Sequence, residues 1–260
     1  MGIGLLILGG IFFLFGAIAL FKGIPNLQRR KRIIQTPTSP IAQAPGSGPV
    51  EIKGRIVPSE QGVVAAPFSG RQAVWARIIV QEQRSAGRSR YWATVVNETD
   101  GRPFMVDDGS GQLARVMPPQ ANVILDSQQV ANSGTFKDAP AHLEAFLAAR
   151  GLKSTSFLGF NKAMRYEEQL LCPGDSVYAI GPSRREPGPP VSDGYRMVPG
   201  SQLVLYAASP NGLGELILTN KSEEQLVSKL LWGFVGGAIA AGLGAAAMVS
   251  GAIMEAMGIN

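Results

Sequence analysis

Asp107 and Asp108 stand side by side and run straight into Gly109-Ser110-Gly111. Paired carboxylates ahead of glycines can hold a divalent cation, and a glycine-rich loop can cradle a phosphate. Each chemistry has a further requirement. A calcium loop needs more oxygen ligands at alternate positions, of the D-x-D-x-D-G kind, and "FMVDDGSGQLARV" lacks them. A phosphate cradle needs a helix N-terminus behind the glycines, whereas "QLARVMP" alternates as a strand does. Asp-Gly between two strand-like runs is a hairpin signal, because glycine takes positive φ without a Cβ clash. The stretch therefore reads as a turn, with a metal site at Asp107 and Asp108 as the alternative.

The other reactive residues are sparse. Glu167 and Glu168 are neighbours in a strand-like run, so they point to opposite faces and cannot act as a matched acid and base. The chain has one cysteine, Cys172, and one histidine, His142, which excludes an internal disulfide and a four-ligand Cys/His zinc site. Cys172 ends the apolar run of "EEQLLCPGD" and reads as a buried, inert thiol. His142 falls on a helix with no partner in view. No Ser/His/Asp set is legible, and neither a catalytic residue nor a cofactor is expected. "SGRQAVWAR" reads as a barrel strand with Arg71 and Arg77 exposed and Trp75 buried. Together with Asp107 and Asp108 these make the candidate interaction residues. Arg84, Arg88 and Arg90 surround an expected hairpin tip, where solvated side chains are the ordinary reading.

The elements that position these residues are mostly strands. "VEIKGRIV", "AVWARIIVQEQ", "RYWATVVNET", "PFMVDD", "QLARVMP", "ANVILDS", "MRYEEQLL", "GDSVYAIG", "QLVLYAAS" and "GELILTN" all carry strand patterns. "DAPAHLEAFLAARG" is the one soluble helix, with Asp138 as N-cap, Leu143, Phe146 and Leu147 on one face, and Gly151 as terminator. "SRREPGPPVSDG" reads as a proline-rich loop. Gly54 inside an early strand allows the bend of a small closed barrel, and Pro173-Gly174-Asp175 reads as the turn into a later strand. The expectation is a mainly β (α+β) domain over 48–220, an OB-like β-barrel with a helical insertion.

Both ends are apolar. Residues 2–21 and 230–254 carry no charged side chain and each is long enough to cross a hydrocarbon core as a helix. The first lacks the basic n-region of a signal peptide and reads as a retained anchor. Gly2, Gly9 and Gly16 recur every seven residues, and Gly233, Gly237, Ala241 and Ala245 every four, beside a ridge of Gly236, Ala240 and Gly244. Small residues let helices pack closely in lipid, either with each other or in a homo-oligomer. Residues 22–47 read as a basic juxtamembrane segment and a Pro/Ser-rich linker without fixed structure, and 221–229 as a connector.

The charge surplus is local. The whole chain has 24 Lys and Arg against 19 Asp and Glu, but residues 48–220 hold 17 basic and 16 acidic side chains. A nucleic-acid-binding body is therefore not expected. Lys22, Arg29, Arg30, Lys31 and Arg32 follow the first apolar run with no acid among them. Basic residues there are retained on the cytoplasmic side and can contact anionic lipid, so the domain is expected in the cytoplasm with both termini outside.

In this order, "VEIKGRIVP", "SGRQAVWAR", "FMVDDGSGQLARV" and "RYEEQLLCPGDSVYAIG" between two apolar segments resemble the GIDE, or beside-a-membrane (BAM), domain family. Its members include the mitochondrial ubiquitin ligase MULAN (MAPL) and prokaryotic proteins. The resemblance implies a membrane-apposed protein-interaction domain. The ligases carry a zinc RING after the second span; this sequence ends at Asn260 and lacks the ligands, which fits a prokaryotic member in a bacterial inner membrane. The mitochondrial relatives place the domain on the opposite side from the one the charges favour. The expected function is a non-enzymatic, two-span scaffold whose partners are membrane lipids and a protein. The alternatives are a ligase-like member or accessory subunit of an enzyme, and an OB-like module binding an oligonucleotide or metal.

Overall fold

The computed structural model describes residues 2–134, 138–155, 161–192, 197–208, 214–221 and 223–257. The chain divides into two units, Met1–Pro37 with Lys221–Asn260, and Thr38–Asn220.

The first unit is a pair of long helices, α1 (Gly2–Gln35) and α3 (Glu223–Ala256). Each contains a stretch long and apolar enough to cross a membrane, Ile3–Ile24 and Val235–Ala256. Helix α1 does not stop at the expected residue 21. It runs on through the basic segment, where Leu, Gln, Lys and Arg are good helix formers, and ends just before Thr36-Pro37.

The second unit starts earlier than expected. The Pro- and Ser-rich stretch read as a loose spacer is part of the domain, because Ile41 is fully buried and Ala44 nearly so. A short 3-10 turn at Ile41–Gln43 carries the isoleucine into the core. Five strands then close a barrel. They are β1 (Ser47–Pro58), β6 (Phe104–Asp107), β7 (Leu113–Val116), β11 (Ser176–Ser192) and β12 (Met197–Leu205). Around the barrel the order is β1-β6-β7-β12-β11 and back to β1. Counted along the chain this is 1-2-3-5-4. All contacts are antiparallel except that between β7 and β12. This is an OB-like barrel, as the sequence predicts. Strands β8 (Asn122–Ile124) and β13 (Ile217–Thr219) extend its sheet beyond β11.

Strand β1 closes the barrel by changing partner. It pairs with β11 from Ser47 to Arg55 and with β6 from Arg55 to Pro58. Gly54 sits at that change. A Cβ there would run into the Asp107 carbonyl and come within 2.7 Å of Val106 Cγ1, so glycine serves close approach of two backbones.

Two insertions build a second layer. β4 (Trp75–Ala86) and β5 (Ser89–Gly101) lie in chain between β1 and β6; β9 (Gln128–Ser133), α2 (Ala141–Ala148) and β10 (Met164–Leu171) lie between β7 and β11. They form an antiparallel sheet in the order β5-β4-β10-β9. Leu143 and Leu147 of α2 are fully buried against Val80, Met164 and Tyr166. The strand containing Arg77 thus belongs to this sheet and not to the barrel. Only its start, Val74 and Trp75, reaches the barrel core. A two-strand hairpin, β2 (Val64–Ala65) and β3 (Gln72–Ala73), joins the layers.

Two smaller expectations are corrected. The N-cap of α2 is Pro140 with no side-chain cap, while Asp138 accepts a 2.5 Å hydrogen bond from Asn161 Nδ2. The proline-rich "loop" is the second half of β11, as far as Ser192. Pro189 and Pro190 fall where the register with β12 shifts, the place in a sheet that tolerates a missing N–H.

Candidate functional site

The turn at Asp107–Gly111 is a turn, and its carboxylates are occupied by backbone. Gly109 and Gly111 have φ of 79° and 86°. Asp107 Oδ1 accepts from the Gly109 N–H at 2.8 Å, and Asp108 Oδ1 from the Ser110 N–H at 2.9 Å. The other Asp108 oxygen accepts from the Ile41 N–H at 2.6 Å, and Ser110 Oγ from the Ala42 N–H at 3.2 Å. Asp108 therefore clamps the entry segment onto the barrel. Burial raises its pKa, but hydrogen bonds from Ser110 and the Ile41 N–H outweigh it and leave the carboxyl below its ordinary value. Among the described residues no three His, Cys, Asp or Glu side chains come together as a metal site would require.

The other expected interaction residues are not gathered in one place. Trp75 is buried in the barrel core, 6% exposed. Arg77 lies on the solvated face of the second sheet and donates to Asn97 Oδ1 at 2.8 Å. Arg71 lines a polar cleft of ≈ 290 Å³ with Asp126, Asp175 and Ser176. Cys172 lies nearby and is buried. Burial pushes its thiol up, more than Arg71 pulls it down. A raised pKa in an enclosed place makes an inert cysteine. His142 has the partner that the sequence did not show: its Nε2 lies 3.2 Å from the Phe68 carbonyl. Glu168 holds the same turn, with Oε1 accepting from the Phe68 N–H at 2.8 Å and the Ser69 N–H at 3.3 Å. Glu167 and Glu168 do face opposite ways, and only Glu168 is buried.

A cleft lies between the β2–β3 hairpin, the second sheet and α2. It is ≈ 300 Å³, floored by Val64, Pro67, Ala76, Ile78 and Phe146 and rimmed by Glu98, Asp100 and Arg150. Arg150 Nε and Nη2 meet the two Glu98 oxygens at 2.8 and 2.7 Å, and its guanidinium lies 3.5 Å from the Phe146 ring centre. The Arg150 hydrogen bond pulls the Glu98 carboxyl down, and Glu98 pushes the guanidinium up. The cleft thus has an apolar floor inside a charged rim, a make-up that can take an apolar side chain. No sequence signal pointed here, because the lining comes from three separated segments.

In the helix pair, Gly9, Gly16 and Gly23 of α1 and Gly237, Gly244 and Gly251 of α3 are buried. A Cβ at Gly9 would lie 2.7 Å from Met248 N, and one at Gly237 2.9 Å from Leu20 N. One at Gly16 would strike Ala241. The helices are antiparallel and their backbones touch. The seam is the seven-residue repeat on both helices, with Gly237 and Ala241 drawn from the expected row and Gly244 from the expected ridge. Gly233 lies within α3, but its surroundings are outside what the structure describes, as are the side chains of Arg29, Arg30 and Arg32. The outward surface includes Ile7, Phe12, Leu14, Phe15, Ile239 and Leu243, between 52% and 67% exposed.

The GIDE family model, described as E3 Ubiquitin ligase, matches residues 77–192. Over those residues the chain is similar to the GIDE family. The matched stretch opens inside β4 and closes with the last residue of β11, so it takes in the second layer and three strands of the barrel. Strands β1 and β12, which close the barrel, lie outside it. No curated protein and no solved structure matches the chain.

Proposed function

We propose that this is a two-span membrane protein that presents its GIDE domain at the bilayer surface as a protein-interaction module, without catalysis of its own. The packing of the helix pair carries this reading. Its inner seam is glycine and its outer surface is Ile, Leu and Phe. In water such a pair would hide its smallest residues and expose its largest; in lipid the outer side chains are solvated by acyl chains and the glycines give close contact. RING-type ubiquitin transfer needs zinc held by several Cys and His, and this chain has one of each. Cys172, buried with a raised pKa, is unsuited to carry a thioester. The partner engages the cleft over Ile78 and Phe146, and the positive residues after the first span favour a cytoplasmic domain in a bacterial inner membrane.

The test uses full-length protein in native membranes. Alkaline carbonate leaves it in the pellet, and a photocrosslinker at Thr99, on the rim, captures one protein species that Phe146→Ala releases. Extraction into the carbonate supernatant, or capture indifferent to Phe146, overturns the corresponding half of the reading.

A further inference from the structure

Strand β10 pairs with β4 as far as Glu82, opposite Met164, and one more hydrogen bond, from the Gln83 N–H to the Ala163 carbonyl at 2.9 Å, ends the support on that edge. Beyond that point β4 and β5 continue alone as a ribbon, paired Arg84 to Tyr91, Ser85 to Arg90 and Ala86 to Ser89. Gly87, at φ 60°, and Arg88 make the two-residue turn at its tip. Every residue from Arg84 to Tyr91 is exposed. A two-stranded ribbon with no buried face adds little to stability. Its composition is therefore not explained by folding.

That composition is one-sided. From Gln83 to Trp92 there are three arginines and no acid. Glu82, at the base, is shared between Arg84 at 3.2 Å and Lys162 at 3.3 Å, so cations remain in excess. Each face of the ribbon carries an arginine and an aromatic side chain. One carries Arg84 opposite Tyr91, which is 49% exposed. The other carries Arg90 and then Trp92, whose ring lies 3.8 Å from the Arg165 guanidinium. A ribbon that packs on a protein presents one face. Arginine with Tyr or Trp on both faces suits immersion in a layer of anionic headgroups, where aromatic rings sit at the interface and each cation contributes about 1 kcal/mol.

We propose that the β4–β5 arm, residues 83–92, docks into the anionic headgroup layer of the bilayer that holds the chain. This rests on the membrane-anchored reading above. The tether supplies the local concentration: the domain begins at Thr38, just after α1 ends at Gln35, and ends at Asn220, just before α3 begins at Glu223.

The experiment places an environment-sensitive dye at the tip, Ser89→Cys with Cys172→Ala, in the full chain in nanodiscs. Discs of phosphatidylcholine are compared with discs containing phosphatidylglycerol, and neutral acrylamide is the quencher so that surface potential does not bias it. Quenching falls in the anionic discs and recovers at high salt. Arg88→Ser with Arg90→Ser lowers the docked-to-free ratio roughly thirtyfold, the worth of two headgroup cations. Equal quenching in both discs overturns the proposal, and so does protection by a DNA duplex where anionic lipid gives none. Carbonate extraction is scored separately: a pelleted protein whose dye ignores lipid charge sinks the arm alone, whereas a washed-out protein sinks the anchor.

Discussion

Asp108 shows how a residue with the look of a ligand becomes structural. Its two oxygens take backbone N–H groups from Ile41 and Ser110, the first 67 residues away in sequence. Its pKa is lower in the folded chain than in the unfolded one, so its contribution is present above the unfolded value of ~3.9 and is lost as pH falls through the folded value. Asp108→Asn is expected to cost roughly 1–3 kcal/mol at neutral pH, since a charged acceptor is lost. The urea midpoints of the variant and the parent should converge below about pH 4; curves that stay parallel would remove the clamp. Cys172 gives a second outcome. With its thiol buried and its pKa raised, labelling by a thiol reagent at neutral pH should wait for unfolding. Alkylation of the native protein at the rate of a free thiol would contradict that. The turn and the inert thiol were legible from neighbouring residues alone. The clamp on Ile41, the His142 contact with Phe68 and the Arg150–Glu98 pair were not, because each joins segments far apart in the chain.

At the level of elements, alternation and turn chemistry were enough to find most strands and the one soluble helix. They were not enough to distribute strands between two layers. Nothing in "AVWARIIVQEQ" distinguishes a barrel strand from one that leaves Trp75 in the barrel and continues as β4 of a second sheet. Prolines misled in β11, since a register shift can absorb them. Composition misled in residues 38–46, where one buried isoleucine outweighs a Pro- and Ser-rich neighbourhood. Gly54 was read as a bend and proves to be a point of contact. Gly54→Ala should therefore destabilise the barrel by roughly 1–3 kcal/mol, the usual cost of overpacking. Trp75, sealed in that core, makes tryptophan fluorescence a suitable readout in a denaturant series. An unchanged midpoint would mean that β1 and β6 can separate freely at Asp107.

The whole molecule combines two solvents' worth of packing rules. Thr38–Asn220 buries Ile, Val, Phe and Leu and keeps most of its charge outside, the buried Glu51, Glu168 and Glu215 excepted, while the helix pair exposes its large apolar side chains and buries glycine. The sequence showed the small residues on both helices but not whether each stripe met the other or a second copy. The structure answers for a single chain, with Gly9 against Met248, Gly16 against Ala241 and Gly237 against Ala19 and Leu20. This is open to a direct check in membranes. With Cys172→Ala removing the native thiol, cysteines at Ala19 and Gly237 face one another with a Cβ separation of 3.0 Å, short of the ~3.8 Å of a relaxed disulfide but within the reach of small helix movements. Mild oxidation should give a crosslinked monomer that migrates faster on a non-reducing gel, and Gly16→Ile, which forces the backbones apart at Ala241, should abolish it. A covalent dimer as the main product would show that the glycine seam joins two chains, and the domain would then be presented in pairs.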